Sequence, residues 1–538
     1  MSIRKVEAAE YASQNDCGWR ETSPRHFPGA VLLIIPPWAP YETNPPLGPA
    51  IVATELRRRN IPMRVLDLNQ IFLREFNPGP SSTTGRILGD HDKNNQLMHA
   101  AQAHFLTLCP LRHLATLFPA PGINPILGLN YSFESIRLGL EKATLSGSFW
   151  PGFLQRHLFQ RYEPPAFGAL SIMGPAQFFT GLVIARLAKG FWPETEFVAG
   201  GSHLTLLPRL GHSKNEAIFD ISKIFRGHCE KAFAAYVAGR LVGTNNMGMQ
   251  RSTLPPKTRA AKTPAFSYMP YFPAEQWAEY DPERLTIPLQ LSRGCSYGRC
   301  RMCTYPAVEP GHSGKPDWDR AVNTVQGLAD DLATRRFSLK DSLFTAGFIR
   351  DFSMALLDRQ VDIQWSATTM IQKALTGRLL SLAARAGCRT LELGVESIHP
   401  DCQRLLGKEQ PLPLVERVIG HAVANGIAVV VNLIYGFPQE SEAMAMRQWK
   451  WFESLCKTDS KGLITGSHNM LEINRKSPFE ADPGAHGFEL VGVAPFAFSY
   501  QWRTPRWFFH FKEWLNQARA DVQPWPDTTG RGSPKPTH

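Results

Sequence analysis

At 538 residues the chain is too long for one hydrophobic core, and its 43% apolar content is enough to fill two or three domains. It contains no apolar run long enough to span a bilayer, and positions 1–25 are polar and mixed in charge, so a soluble, cytoplasmic protein without membrane association is expected. Its 58 basic and 47 acidic residues leave a net charge of +11, but the basic residues fall in short scattered runs such as Arg57 to Arg59, so no nucleic-acid partner is expected.

Positions 1–28 read as a tail. The continuous apolar run 30–35 has the character of a strand buried on both faces of a parallel sheet, and Pro36-Pro37 ends it. A helical stretch at 47–59 leads to a second strand, Met63–Asp67, which makes an opening βαβ unit. From about 70 to 165 the alternation breaks, and the stretch reads as a helical insertion. It resumes with a strand at 169–173, a helix at 176–189, a strand at 196–199, the turn Gly200-Gly201-Ser202-His203, a strand at 220–225, and Gly227 to Glu230 opening a further helix. Five strands with glycines at their C-terminal ends predict a Rossmann-like doubly wound sheet over 29–245, with strand ends suited to a flat or phosphate-bearing ligand.

Positions 246–280 shift to Thr, Pro, Lys and Ala without periodicity and read as a linker. Strand and helix patterns restart at 286. Candidate strands at 286–291, 342–344, 362–367, 390–393, 428–434 and 463–473 predict a partial (β/α)6 barrel over 281–476. An aromatic stretch at 477–522 reads as a small C-terminal cap, and 523–538 as a disordered tail.

Chemistry concentrates just after the first barrel strand, in Cys295-Ser-Tyr-Gly-Arg-Cys300-Arg-Met-Cys303. Three thiolates so close in sequence can hold three irons of a [4Fe-4S] cluster and leave the fourth iron open, because thiolate is the soft ligand such clusters require. The same spacing serves zinc, with His312 as a fourth ligand. A zinc knuckle, however, is usually a self-contained hairpin, whereas these cysteines leave the C-terminal end of a strand, where α/β folds place their chemistry. The other six, Cys17, Cys109, Cys229, Cys388, Cys402 and Cys456, read as small hydrophobes or inert surface thiols.

The segment resembles the cluster-binding loop of the radical SAM superfamily, C-x3-C-x-Φ-C, with Met302 at Φ. It departs by one extra residue between Cys295 and Cys300, which Gly298 can absorb at positive φ. The N-terminal domain resembles the cobalamin-binding domain that precedes many radical SAM domains. The matching residues are Pro36-Pro37 with Pro46-Leu47-Gly48, Leu66 to Asn69, Ser171, Gly200 to His203 with Pro208, and Gly227 with Glu230. The chain contains no Asp-x-His-x-x-Gly, the motif that supplies a cobalt-ligating histidine in mutase-like relatives.

The resemblance implies a [4Fe-4S] cluster on Cys295, Cys300 and Cys303, and S-adenosyl-L-methionine bound on it. Met302, Tyr305 and Gly436 would lie near the adenine, and Glu396 and Ser397 near the ribose or the methionyl part. Arg350 or Lys373 would receive the carboxylate. Cobalamin would meet Pro37, Leu47, Gly48, Ser171, Gly200, Gly201, His203, Gly227 and Glu230. The implied activity is methylation of an unactivated carbon of a small-molecule or peptide substrate, through a 5′-deoxyadenosyl radical and methylcobalamin, fed by an external flavodoxin- or ferredoxin-type electron donor. Rearrangement or cyclisation with the same cofactors is one alternative, and a zinc-stabilised, non-catalytic binding protein is another. A methylthiotransferase fits less well, since no second cysteine triad lies near the N-terminus and no basic C-terminal RNA-binding module is evident.

Overall fold

The computed structural model describes residues 31–37, 44–76, 132–146, 148–209, 219–244, 270–272, 280, 285–311, 314–492 and 494–521. The described residues form two compact units that meet in sequence at 285/286. Among them no helix is long and apolar enough to cross a membrane.

The first unit holds a five-stranded parallel sheet in the order β2-β1-β3-β4-β5. The strands are β1 (Val31–Ile35), β2 (Met63–Asp67), β3 (Phe167–Ser171), β4 (Glu196–Gly200) and β5 (Lys223–Phe225). The apolar run of β1 belongs at the centre, where both faces are covered, and none of its residues is more than 4% exposed. Val31, Leu33 and Ile35 pack with Ala53 and Leu56 of helix Leu47–Arg58 and with Phe233, Ala234 and Val237 of helix Glu230–Thr244. Each such side chain contributes roughly 1.5–3 kcal/mol by leaving water. Chain order reverses beside β1, which creates the crevice at strand C-termini where doubly wound sheets bind ligands.

The third strand begins two residues earlier than its apolar pattern suggests, and the fifth is shorter, Lys223–Phe225, because 219–222 form a turn and an isolated bridge before it. Part of the stretch expected as linker is packed. Tyr271 lies under the Arg57 guanidinium at 4.4 Å and donates its amide to Thr54 Oγ1 at 2.9 Å. Most of the expected insertion, 77–131, and all of both tails lie outside the described residues.

The second unit is a six-stranded parallel sheet in strictly sequential order, β6 to β11, with a helical connection at every crossover. Its strands are β6 (Ile287–Leu289), β7 (Arg336–Leu339), β8 (Gln364–Met370), β9 (Cys388–Glu396), β10 (Ala428–Tyr435) and β11 (Ile464–Met470). Right-handed crossovers in sequential order place all helices on one face and curl the sheet into a partial barrel. The second strand is therefore Arg336–Leu339 and not 342–344. Phe337, Ser338 and Leu339 supply its buried positions, whereas 342–344 is the loop leaving it, ending at Thr345, which caps helix Ala346–Asp358.

Beyond the barrel, β12 (Ile473–Asn474), β13 (Leu490–Gly492) and β14 (Ser499–Trp502) form an antiparallel sheet in the order β12-β14-β13, followed by helix Trp507–Asp521. Phe479, Phe488, Phe496, Trp502, Phe508 and Phe511 are all buried, and Phe479, Phe488 and Trp502 pack with Cys402, Leu406, Ile434 and Phe437 of the barrel, so these aromatics serve as core.

Candidate functional site

The three cysteines leave β6 on a loop held at both ends. At its root the Asp341 carboxylate accepts the Leu291 amide (3.1 Å), the Ser292 amide (2.5 Å) and the Ser292 hydroxyl (2.7 Å). Full burial pushes that carboxyl up to about 6, against the pull of these donors. Glu309 adds a second clamp, accepting Gln290 Nε2 (2.7 Å), Ser342 Oγ (2.6 Å) and the Gly294 amide (3.3 Å).

Further on, Gly298 takes φ +58, the left-handed turn the extra residue requires, and its amide points at Cys295 Sγ at 3.5 Å. The loop then meets the C-terminus of helix Pro400–Leu406, whose last carbonyls have no partners within the helix. Tyr297 Oη donates to Gly407 O (2.6 Å), the Arg301 amide to Leu406 O (2.9 Å), and the Arg301 guanidinium to Arg404 O (2.8 Å) and Leu405 O (2.9 Å). A cation at this negative helix end is favourable. Gly407 itself leaves no room for a side chain, since a Cβ there would stand 3.0 Å from Arg299 O.

All three thiols are free and half-buried. Burial pushes Cys300 up to about 11, a rise that Lys408 opposes and that Cys303, Glu396 and Cys295 reinforce. Burial likewise raises Cys303, with the Tyr305 backbone pulling the other way. Such thiols hold their protons at neutral pH, so loading them with iron releases protons. Among the described residues no three His, Cys, Asp or Glu side chains converge tightly enough to hold a single metal ion. The sulfurs of an iron-sulfur cluster each take a different iron and need not converge so tightly, and the donor set fits that group. His312 lies outside the described residues.

Beside the cysteines lies a buried ion pair, Lys408 Nζ to Glu396 Oε1 at 2.8 Å, with the two residues 6% and 8% exposed. Glu396 adopts φ +65 at the end of β9, an uncommon conformation for a residue with a side chain. The pair occupies the space over Gly394, where a Cβ would meet Lys408 Nζ at 2.5 Å and Glu396 Oε1 at 2.6 Å. The Lys408 amine is raised despite its burial, chiefly because the Glu396 carboxylate stands beside it and accepts its hydrogen bond.

The remaining expected contacts divide. Ser397 is fully buried and its hydroxyl accepts the His399 amide at 3.2 Å, so it belongs to the turn. Met302 packs against the core of Ile434, Phe437, Leu471 and Phe479, whereas Tyr305 is 47% exposed, so the two do not form one wall. Gly436 has φ +91, but the Phe508 ring fills the side where its Cβ would point, 2.2 Å away. Its amide (2.6 Å) and that of Phe437 (3.2 Å) donate to Glu440 Oε2, a buried carboxylate pushed up to about 7 by desolvation. Arg350 is exposed and paired with Asp351 at 2.8 Å; Lys408 is the cation beside the cysteines.

In the first unit, Gln177 Nε2 donates to Pro36 O and Thr180 Oγ1 to Pro37 O, both at 2.9 Å, which ties the loop after β1 to helix Pro175–Phe191. Ser171, Gly200, Gly201, Gly227 and Leu47 are half-buried and Gly48 is exposed, whereas Pro37 and Glu230 are buried. A Cβ at Gly174 or Gly48 would meet nothing within 4 Å among the described residues, so side chains do not crowd these two positions near the sheet's C-terminal edge. Gly201, at φ +120, serves backbone packing instead: a Cβ would stand 2.1 Å from Ile172 O. His203 is enclosed, 1% exposed, with its ring against Phe178 at 5.4 Å. Asp67 accepts the Gln70 amide (2.9 Å) and the Tyr280 hydroxyl (2.5 Å), a structural role.

Lys408, Asp341, Glu309 and Glu440 were not singled out from sequence. The signals available were faint: a lysine directly after the Gly407 helix stop, and single acids in loops.

Comparison with known proteins agrees with this geometry. The family model described as Radical SAM superfamily matches residues 289–447. The bacteriochlorophyllide d C-12(1)-methyltransferase of Chlorobaculum tepidum is 25% identical over 249 residues, 45% of this chain and 51% of that protein. An uncharacterized methyltransferase of Pyrococcus horikoshii is 20% identical over 303 residues, 53% of this chain and 63% of that protein. The chain thus spans less than two thirds of either curated relative. Among solved structures, the radical S-adenosylmethionine methyltransferase TsrM from Kitasatospora setae, with cobalamin and a [4Fe-4S] cluster bound, has a TM-score of 0.56 at 14% identity, covering 88% of this chain and 85% of that one. The cobalamin-dependent S-adenosylmethionine radical enzyme OxsB has a TM-score of 0.53 at 10% identity, covering 91% and 66%. The fold is that of these enzymes.

Proposed function

We propose that this chain, whose residues 289–447 form a radical SAM domain, is a cobalamin-dependent radical S-adenosylmethionine enzyme that methylates an unactivated carbon of a small-molecule or peptide substrate. The observation that carries the reading is the three-cysteine loop at the C-terminal mouth of the barrel, strapped to a helix end and set beside the buried Lys408–Glu396 pair.

When bound, the cluster with S-adenosylmethionine supplies a 5′-deoxyadenosyl radical and cobalamin supplies the methyl group. Cys295, Cys300 and Cys303 hold the cluster in this reading. Lys408 and Glu396 offer one cation and one anion to the zwitterionic methionyl end, a match of charge that either residue alone would lack. Asp341 and Glu309 fix the loop so that its sulfurs stay in place on a rigid strand end. The glycine-lined edge of the first sheet receives the corrinoid, where a large flat ring needs the absence of side chains. Electrons come from a flavodoxin- or ferredoxin-type partner.

The test is anaerobic purification followed by iron, sulfide and corrinoid analysis. A brown protein with four irons per chain and reconstitutable cobalamin is expected, and Cys300→Ala should abolish the iron-sulfur absorbance. A colourless chain with one zinc would overturn the reading. A product heavier by one methylene marks methylation, and an unchanged mass marks rearrangement.

A further inference from the structure

Along β8 the exposure alternates: Gln364, Ser366, Thr368 and Met370 are partly exposed, while Trp365, Ala367 and Thr369 are buried. Parallel neighbours in register share a face, so the pattern can be followed across the sheet. Thr368 pairs with Glu392, Glu392 with Val430 and Val430 with Thr465; Met370 pairs with Gly394, Gly394 with Asn432 and Asn432 with Ser467. Glu392, Asn432 and Ser467 are likewise partly exposed, whereas Leu391, Leu393, Val429 and Val431 between them are 0% exposed.

The buried parity faces the helices. Trp365 meets Phe352 of helix Ala346–Asp358 at 5.6 Å, and His468 meets Phe452 of helix Glu442–Thr458 at 4.7 Å. The accessible parity therefore faces the interior of the curl. Barrel interiors ordinarily fill with Val, Ile and Leu. Here Val430 and Thr465 on the same parity are buried, but Ser366, Thr368, Glu392, Asn432 and Ser467 stand partly exposed, a set of polar side chains that packing alone does not call for.

Glu392 is the one charged side chain on the inward positions of β8 to β11 between Gln364 and the Glu396 strand end. Its Oε2 accepts Thr368 Oγ1 at 3.0 Å, and no cation pairs with it among the described residues. Two residues on, about 6.6 Å along the strand, lies Gly394, over which the Lys408–Glu396 pair sits. A polar stripe thus runs from Glu392 to the edge of the cysteine site.

We propose that this inward face receives the substrate, and that Glu392 selects one carrying a protonated amine. The inference rests on the radical SAM reading of the site and adds a substrate class to it. A half-enclosed carboxylate without its own counter-ion gains about twice as much from a charged donor as from a neutral one. An anionic substrate would meet repulsion here, and an apolar one would leave the carboxylate desolvated and unpaired. Lys408 does not compete, since Glu396 already engages it. Thr368, Asn432 and Ser467 offer further hydrogen bonds to polar atoms of the same molecule.

Three probes on one skeleton separate the chemistries: phenethylamine, 2-phenylethanol and 3-phenylpropionate, titrated by ligand-observed NMR into the anaerobically reconstituted full chain. The amine should saturate, with the other two at least tenfold weaker. Glu392→Gln, which keeps the shape, should weaken the amine at least tenfold while the iron-sulfur absorbance and circular dichroism stay as in the parent. Thr368→Val, which leaves the charge in place, should keep the preference for the amine. Failure of the amine to saturate, equal binding of all three, or amine binding unchanged in Glu392→Gln overturns the proposal. Cluster absorbance is read on the same samples, so loss of selectivity with the cluster present sinks this inference alone, whereas absence of a cluster sinks the reading beneath it.

Discussion

Lys408 is the residue whose removal should be most informative. Both charges of its pair are buried, so Lys408→Met leaves the Glu396 carboxylate without compensation, at a cost of roughly 3–5 kcal/mol. The double variant Glu396→Gln/Lys408→Met should recover most of that stability in urea denaturation while still failing to bind S-adenosylmethionine. A second residue-scale effect is titratable. Glu440 is held near 7 instead of its ordinary value, so the folded chain binds a proton there more tightly than the unfolded chain. Stability from this group is fully present below about 4.5 and is lost as pH rises through 7. Glu440→Gln should flatten the stability profile between pH 5 and 7, and a slope that persists in that variant would assign it to another group. Neither role could be read from the sequence, because each depends on burial between residues that only the fold brings together. The cysteines could be read, since their chemistry lies in local spacing.

At the scale of elements, legibility followed hydrophobic pattern. The apolar run of β1 and the compact pattern of Met63–Asp67 were read to within a residue. Arg336–Leu339 was not, because two arginines precede its short buried stretch, Phe337, Ser338 and Leu339, whose middle residue is polar. The β8 alternation was in the sequence, but which parity faces inward depends on which face the helices cover. Glycine positions carry the sharpest element-scale prediction. A methyl group at Gly201 would lie 2.1 Å from the Ile172 carbonyl, and the backbone there is at φ +120. Gly201→Ala should therefore force apart the ends of β3 and β4, costing about 3 kcal/mol or more. Loss of corrinoid retention with an unchanged iron content would localise the damage to the first unit.

At the scale of the whole molecule, the C-terminal cap completes the cysteine site. The Phe479 amide donates to Arg301 O at 3.1 Å, Phe479, Phe488 and Trp502 join the core that Met302 packs on, and Phe508 covers Gly436. A chain ending at 476 keeps all three cysteines but should lose most of its iron on desalting and scatter light, because the exposed core then seeks other partners. Full iron retention in that truncation would show the cap to be dispensable. The aromatic richness of this region was plain in the sequence. Its strand pairing was not, since β12 and β13 are only two and three residues long and each offers one apolar residue, Ile473 or Leu490, opposite an aromatic of β14.

The left-handed turn at Gly298 has a consequence for genome surveys. A pattern search that demands a fixed count between the first two sulfurs passes over this chain, although the turn absorbs the insertion in place and Cys300 and Cys303 keep their usual spacing. An inserted codon is tolerable at that point when a glycine accompanies it, so inventories built on the strict pattern will undercount relatives with this loop.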